Sequence, residues 1–271
     1  MAQISAKAVQ ELRAETGLAM MDCKNALVAA NGDTEAAKAA LRKKFADKMS
    51  ERSAKEAANG RIGVFADDEG AALVELRCET DFVATNDKFR ELADRLAEHC
   101  AKSGITEVEA FLQSSFNDGG TVADAMVDAF GIIKENMTVR RLARIEGPGA
   151  CYVHHNGQVA AVITGDSPPA DAGRHVCMHV ASTPVILGLV REDVDSAAAR
   201  EARDAATAAA AGKPPQIVEK IVQGKMNKWF AERVLVEQPF VMDDKKTVGG
   251  FGKENGFTLT GFVRFEVGGG H

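Results

Sequence analysis

The spacing of apolar positions changes along the chain, and the changes divide it. Up to about residue 45 apolar positions recur with a helical period. Ile4 precedes Ser5, and Val9 and Leu12 follow at helical spacing. Ser5 reads as an N-cap, with Ile4 placed to staple the first turn. Thr16-Gly17 breaks this helix. A second is expected from about Met21 to Ala30, with Cys23, Ala26 and Leu27 on one face, and Asn31-Gly32 ends it. Asp33 caps a third helix, with Ala36, Ala37, Ala40 and Leu41 expected inward. Three short helices make a small bundle with a thin core, marginal alone. The turn between the first two carries Leu18, Met20 and Met21. Methionines suit adaptable binding surfaces, and filling the bundle core is an equal reading.

From Arg42 to Arg61 the chain is polar and basic, which predicts a helix followed by a hinge at Ala57-Ala58-Asn59-Gly60. Short apolar runs then take over. Arg61 to Phe65 with Ala71 to Leu76 reads as a hairpin, and so does Cys151 to His155 with Gln158 to Thr164, turning at Asn156-Gly157. Helical runs follow each, Lys88 to Cys100 after an Asn86 cap and Asp171 to Ala181. An internal repeat ties the two halves together. Gly131-Ile132-Ile133-Lys134-Glu135-Asn136 returns 119 residues later as Gly250-Phe251-Gly252-Lys253-Glu254-Asn255. Leu142-Ala143-Arg144-Ile145-Glu146 returns 120 residues later as Phe262-Val263-Arg264-Phe265-Glu266. The order β-β-α-(α)-β, found twice, predicts an α+β protein with two similar subdomains built on antiparallel sheets. Inside the second copy Ser196 to Ala211 and Gln216 to Phe230 read as an antiparallel helical hairpin around Gly212-Lys213-Pro214-Pro215. The expected division is 1–57, 58–148 and 149–271, with the hairpin at 190–236.

The stretch Glu79-Thr80-Asp81-Phe82-Val83 falls between the first hairpin and its helix, on an expected loop. One reading has Asp81 satisfying backbone donors and Phe82 packing into the core. The sharper one is a probe that offers an apolar wedge and a carboxylate to a partner. The second copy's strand exit, Thr164-Gly165-Asp166-Ser167-Pro168, keeps an acid but has no aromatic. A core role shared by both copies does not predict that loss, so Phe82 looks specific to the first copy, and Asp81 keeps a claim to a capping role.

Charge narrows the partners. A net charge of −6 argues against a general nucleic-acid binder. Five cysteines with no Cys-x-x-Cys pair favour reduced thiols and a cytoplasmic protein. No apolar run has membrane-spanning length. His175 and His179 have metal-ligand spacing, and with His154 they make a metal-dependent hydrolase the rival reading. Val176 stands where a zinc hydrolase has Glu, so a helix packing Cys177 and Met178 is preferred, with no metal and no cofactor. Gly249 to Glu254 only superficially resembles a phosphate loop, because Thr247 replaces its first glycine.

Two long motifs carry a resemblance. The run from Leu12 to Leu27, followed by Asn31-Gly32-Asp33, resembles the N-terminal signature of the bacterial elongation factor Ts family, and Glu79-Thr80-Asp81-Phe82-Val83 resembles its second signature. The resemblance implies a guanine nucleotide exchange factor, without covalent chemistry of its own, that binds elongation factor Tu in its GDP-bound and nucleotide-free forms. It implies a ubiquitin-associated (UBA)-like N-terminal bundle and a two-part core, and the hairpin looks like the protruding coiled-coil arm of some members. By matched position Arg13, Met20, Met21 and Lys24 would dock on the partner. Thr80, Asp81, Phe82 and Val83 would enter near its magnesium site. Tyr152-Val153-His154 resembles a Tyr-x-His in which His154 faces the partner, and Gln238 to Met242 resembles a loop placing Val241 and Met242 against it. A strand-end histidine and a Pro-stiffened turn are the plainer readings of these two. A pure adaptor is a second rival, and a homodimer through the arm or a sheet face is left open.

Overall fold

A computed structural model describes residues 4–116 and 120–269. Three helices come first: α1 (Ala6–Thr16), α2 (Met20–Ala29) and α3 (Thr34–Arg52). Their ends follow the local chemistry. Ser5 accepts from the Ala8 amide and Asp33 from the Ala36 amide, while Gly17 closes α1 in the left-handed region at φ 68°. Two expectations change here. The third helix and the basic linker helix are one helix, because no breaker interrupts 34–52. Its inward face is Ala37, Leu41 and Phe45, four residues apart, whereas Ala36 and Ala40 are exposed. The expected hinge is shorter than foreseen, because Asn59 and Gly60 already pair with Cys78 and Arg77 in the first strand, and the side-chain amide of buried Asn136 donates to the Lys55 carbonyl at 2.7 Å just before it.

The bundle does not stand on its thin core alone. Leu18, Leu41 and Phe45 join a cluster that continues through Phe130 to the first sheet. A Cβ on Gly131 would sit 2.7 Å from Leu18 Cδ2 and 3.0 Å from Phe45 Cδ2, so this glycine is the notch that admits the bundle. Arg42 adds a bidentate pair with Asp128 at its rim.

The rest of the chain repeats one plan. β1 (Asn59–Ala66) and β2 (Gly70–Cys78) form a hairpin, followed by α4 (Asp81–Ala84), α5 (Asp87–Ser103) and α6 (Val108–Gln113). The short strands β3 (Ser115–Phe116) and β4 (Gly120–Thr121) lead to α7 (Val122–Ile133) and β5 (Met137–Glu146). Then β6 (Gly149–Val153) and β7 (Val159–Gly165) form a second hairpin, with α8 (Ala170–Ser182) after it. The helical hairpin α9 (Ser196–Ala208) and α10 (Pro215–Ala231) intervenes. Short β8 (Pro239–Phe240) and β9 (Asp243–Thr247), α11 (Val248–Glu254) and β10 (Leu259–Glu266) finish the second round. Both three-stranded sheets are antiparallel with the same order, β1-β2-β5 and β6-β7-β10.

The repeat extends to side chains. Arg144 on β5 donates to the Ala101 carbonyl near the end of α5 and pairs with Glu146. Arg264 on β10 does the same with the Ala181 carbonyl of α8 and with Glu266. Strand periodicity explains the layering. Ala72, Val74 and Leu76 of β2 face the helices, while Ala71 and Leu73 meet Ala160, Val162 and Phe265 of the other sheet. Ala161 and Ile163 of β7 face α8. The two central strands are therefore covered on both faces, which is why they read as nearly unbroken apolar runs rather than alternating ones. No helix among the described residues is long and apolar enough to cross a membrane, and all five cysteines are free.

Candidate functional site

Among the described residues the most exposed large apolar side chain is Phe82, at 83%. Its backbone is not the expected loop. Thr80 is the N-cap of a one-turn helix, α4, with its hydroxyl accepting from the Val83 amide. One turn sends Asp81 and Phe82 outward, half-buries Val83 against the core and buries Ala84. Phe82 is thus not a core residue. Nor is Asp81 the cap: its carboxylate has no hydrogen-bond or ion-pair partner among the described residues.

The base of this turn is clamped from three directions. Glu135 accepts from the Thr80 amide at 3.0 Å and from its hydroxyl at 2.7 Å. Arg52, at the end of α3, grips Glu79 with two bonds of 2.5 and 2.9 Å. The Asn136 amide donates to the same carboxylate at 2.7 Å, and Asn59 donates to the Glu79 carbonyl at 2.8 Å. Hydrogen bonding to Arg52 holds the Glu79 carboxyl below its ordinary range, so the clamp stays ionised at neutral pH. An exposed aromatic on a fastened base has little freedom to lose when something covers it.

The docking candidates on the bundle divide cleanly. Leu18 is buried in the core, while Met20 and Met21 are 47% and 61% exposed and Arg13 and Lys24 are exposed as well. Val28, at 42%, continues the Met21 face one heptad on. It is absent from the candidates drawn from the sequence, although its spacing from Met21 was there to be read. Asp22 on the same helix pairs with Lys44 at 2.7 Å and with Lys134 at 3.8 Å. Lys134, Glu135 and Asn136 are consecutive, so one tripeptide fastens both the methionine helix and the Phe82 turn.

The second half supplies two more candidates. His154 is exposed at the end of β6, with the Tyr152 hydroxyl 3.0 Å from its Nδ1 and the Arg174 guanidinium over the Tyr152 ring. Val241 and Met242 are 57% and 49% exposed at the turn between β8 and β9. The metal rival loses its central residue. His179 is buried and spends both ring nitrogens on Gln238 and the Val241 amide. The inward face of α8 takes His179 with Val176 and Cys177, while Met178 is only half-buried. Among the described residues no three His, Cys, Asp or Glu side chains converge as metal ligands.

A family model described as Elongation factor TS matches residues 79–269, beginning at the clamped Glu79. Similar curated proteins include an elongation factor Ts of Hyphomonas neptunium, 42% identical over 282 aligned residues covering 99% of this chain and 93% of that protein. One of Psychrobacter sp. (strain PRwf-1) is 39% identical, covering 99% of this chain and 92% of its own. One of Thermobifida fusca is 38% identical over 99% of both chains.

Proposed function

The chain belongs to the elongation factor Ts family, and from that premise we propose that it is a guanine nucleotide exchange factor for elongation factor Tu, acting in the cytoplasm during translation elongation. The observation that carries this reading is Phe82, 83% exposed on a turn clamped by Glu135, Arg52 and Asn136. A single exposed aromatic is ordinary by itself; one on a base fastened by this many hydrogen bonds is already ordered for a partner to cover, at little entropic cost.

The mechanism is linkage. A translational GTPase holds its nucleotide through phosphate-loop amides and a magnesium ion. An exchange factor stabilises the nucleotide-free form. It lowers nucleotide affinity by the same factor by which nucleotide lowers its own. A coupling of about 3 kcal/mol corresponds to roughly a hundredfold. No covalent step is required. Phe82 wedges into the partner beside its magnesium site, and the unpartnered Asp81 carboxylate disturbs the magnesium environment. Thr80 and Val83 hold the pair in place. The α1–α3 bundle acts as the UBA-like docking module through Arg13, Met20, Met21 and Lys24. The two sheet-and-helix units form the two-part core, and the second brings His154, Val241 and Met242 to the partner.

The test is release of a fluorescent GDP analogue from elongation factor Tu, chased with excess GDP. Catalytic amounts of this protein are expected to speed release severalfold or more. Release at the intrinsic rate with micromolar protein overturns the reading.

A further inference from the structure

His179 entered the sequence as half of a metal-like pair, and the exchange mechanism above makes no use of it. It is 4% exposed on α8. The Val241 backbone N–H donates to its Nδ1 at 3.2 Å. A ring nitrogen that accepts carries no proton, so the proton sits on Nε2 and is donated to Gln238 Oε1 at 2.9 Å. Gln238, 3% exposed, passes the chain on: its Nε2 donates to the Glu232 carbonyl at 2.9 Å, just past the end of α10. Burial pushes the imidazole's pKa down, which keeps the neutral, single-proton form. The His179 ring lies 6.0 Å from that of Phe240, which is stacked on Phe251 at 4.2 Å.

Directly above this relay the chain turns outward and exposes Val241 and Met242. A buried polar relay is costly unless every member is satisfied, and here His179 and Gln238 each have partners on both sides. Its last donor is the backbone of the exposed tip. We propose that His179 is a positioning residue, whose Nδ1 fixes the Val241 amide and so presents the Val241–Met242 tip in docking shape to the GTPase partner. The identity of that partner rests on the exchange reading above; the tether does not.

Three variants test this in the GDP-release assay. His179→Phe keeps a ring but removes both polar bonds. It is expected to raise the half-saturating concentration about fivefold, the order of one lost hydrogen bond, with the plateau rate unchanged. His179→Asn keeps an acceptor at the δ position and is expected to restore wild-type half-saturation. In a Val241→Ala/Met242→Ala background, which itself raises half-saturation, His179→Phe adds nothing further. A merely structural role instead lowers the active fraction, leaves the concentration dependence alone and persists in the background without the tip. Should His179→Phe fold poorly, Gln238→Met, which frees the imidazole to turn, must give the same rise. Unchanged half-saturation, an equal penalty without the tip, or no effect of the tip variant itself overturns the proposal. Amide hydrogen exchange at Val241 reads the tether without the partner: protection must fall in His179→Phe and return in His179→Asn. Unchanged protection in His179→Phe overturns the inference even if exchange activity is confirmed, and lost activity of the wild type with an intact tether overturns only the exchange reading.

Discussion

β2 and β7 are the middle strands of two sheets with the same order, yet the chain leaves them in opposite ways. After β2 it makes a fastened turn that throws a phenylalanine into solvent. After β7 it is stitched back down: the Asp166 carboxylate accepts from the Thr258 amide at 2.7 Å, and the Asp166 amide donates to the Thr258 carbonyl at 3.0 Å. The repeated tripeptide diverges in step. Glu135 and Asn136 reach out to Thr80 and Glu79, whereas Glu254 pairs with nearby Lys246 and Asn255 bonds its own helix at Phe251. The two copies share strand order and this tripeptide, and they differ in what the tripeptide holds and in whether an aromatic stands at the strand exit. An acid at a strand exit is ordinary joinery; an aromatic held out of the core by three clamps is not.

That comparison can be broken at several points. The largest expected effect is at the paired glycines. Gly131→Leu drives a side chain into Leu18 and Phe45 and is expected to cost about 3 kcal/mol in thermal or urea unfolding, the upper end of overpacking. A Cβ on Gly250 meets only the Thr247 hydroxyl oxygen, at 3.2 Å, so Gly250→Leu should cost far less. Equal costs would mean the two sites are equivalent after all. Glu135→Gln comes next. A neutral amide offers one acceptor where Thr80 needs two, so we expect a loss of about 1 kcal/mol and GDP release slowed several-fold. Glu254→Gln touches only an exposed pair and should stay within about 0.5 kcal/mol with full activity. The smallest effect is in acid. Hydrogen bonding to Arg52 lowers Glu79, and the Thr258 amide lowers Asp166. Both contributions are therefore complete above the ordinary carboxylate range near pH ~4 and vanish as pH falls through the lower folded values. Arg52→Gln should move the first loss to higher pH, seen as earlier loss of protection at the Asn136 amide that Glu79 accepts from, and leave Thr258 unchanged.

What the sequence disclosed follows the range of the forces involved. Caps at Ser5, Asp33 and Asn86 act over two or three residues, and the structure places them as expected. The repeated motifs pointed to helices with antiparallel sheets, which the structure has, but the order of strands within each sheet was not read from them. Local pattern left the direction of Phe82 open between core and solvent, and only the second copy's missing aromatic and the family motif favoured solvent; its clamps come from Arg52 and Glu135, 27 residues before Glu79 and 55 after Thr80. The same holds for His179, whose partner Gln238 lies 59 residues away, so that local spacing suggested a metal ligand. Ala36 and Ala40 were misplaced because alanine in an alanine-rich helix carries little information about which face it occupies. Phe45, one turn beyond Leu41, settles the face.

The central claim is that the first strand exit is a probe, while the bundle residues and the His154, Val241 and Met242 sites serve docking. Stopped-flow release of fluorescent GDP from elongation factor Tu, titrated with wild type and Phe82→Ala, separates the two. Removing an 83% exposed ring should leave folding stability within about 0.5 kcal/mol. The account predicts a plateau rate at least tenfold lower, with half-saturation changed by less than about threefold. An unchanged plateau contradicts it.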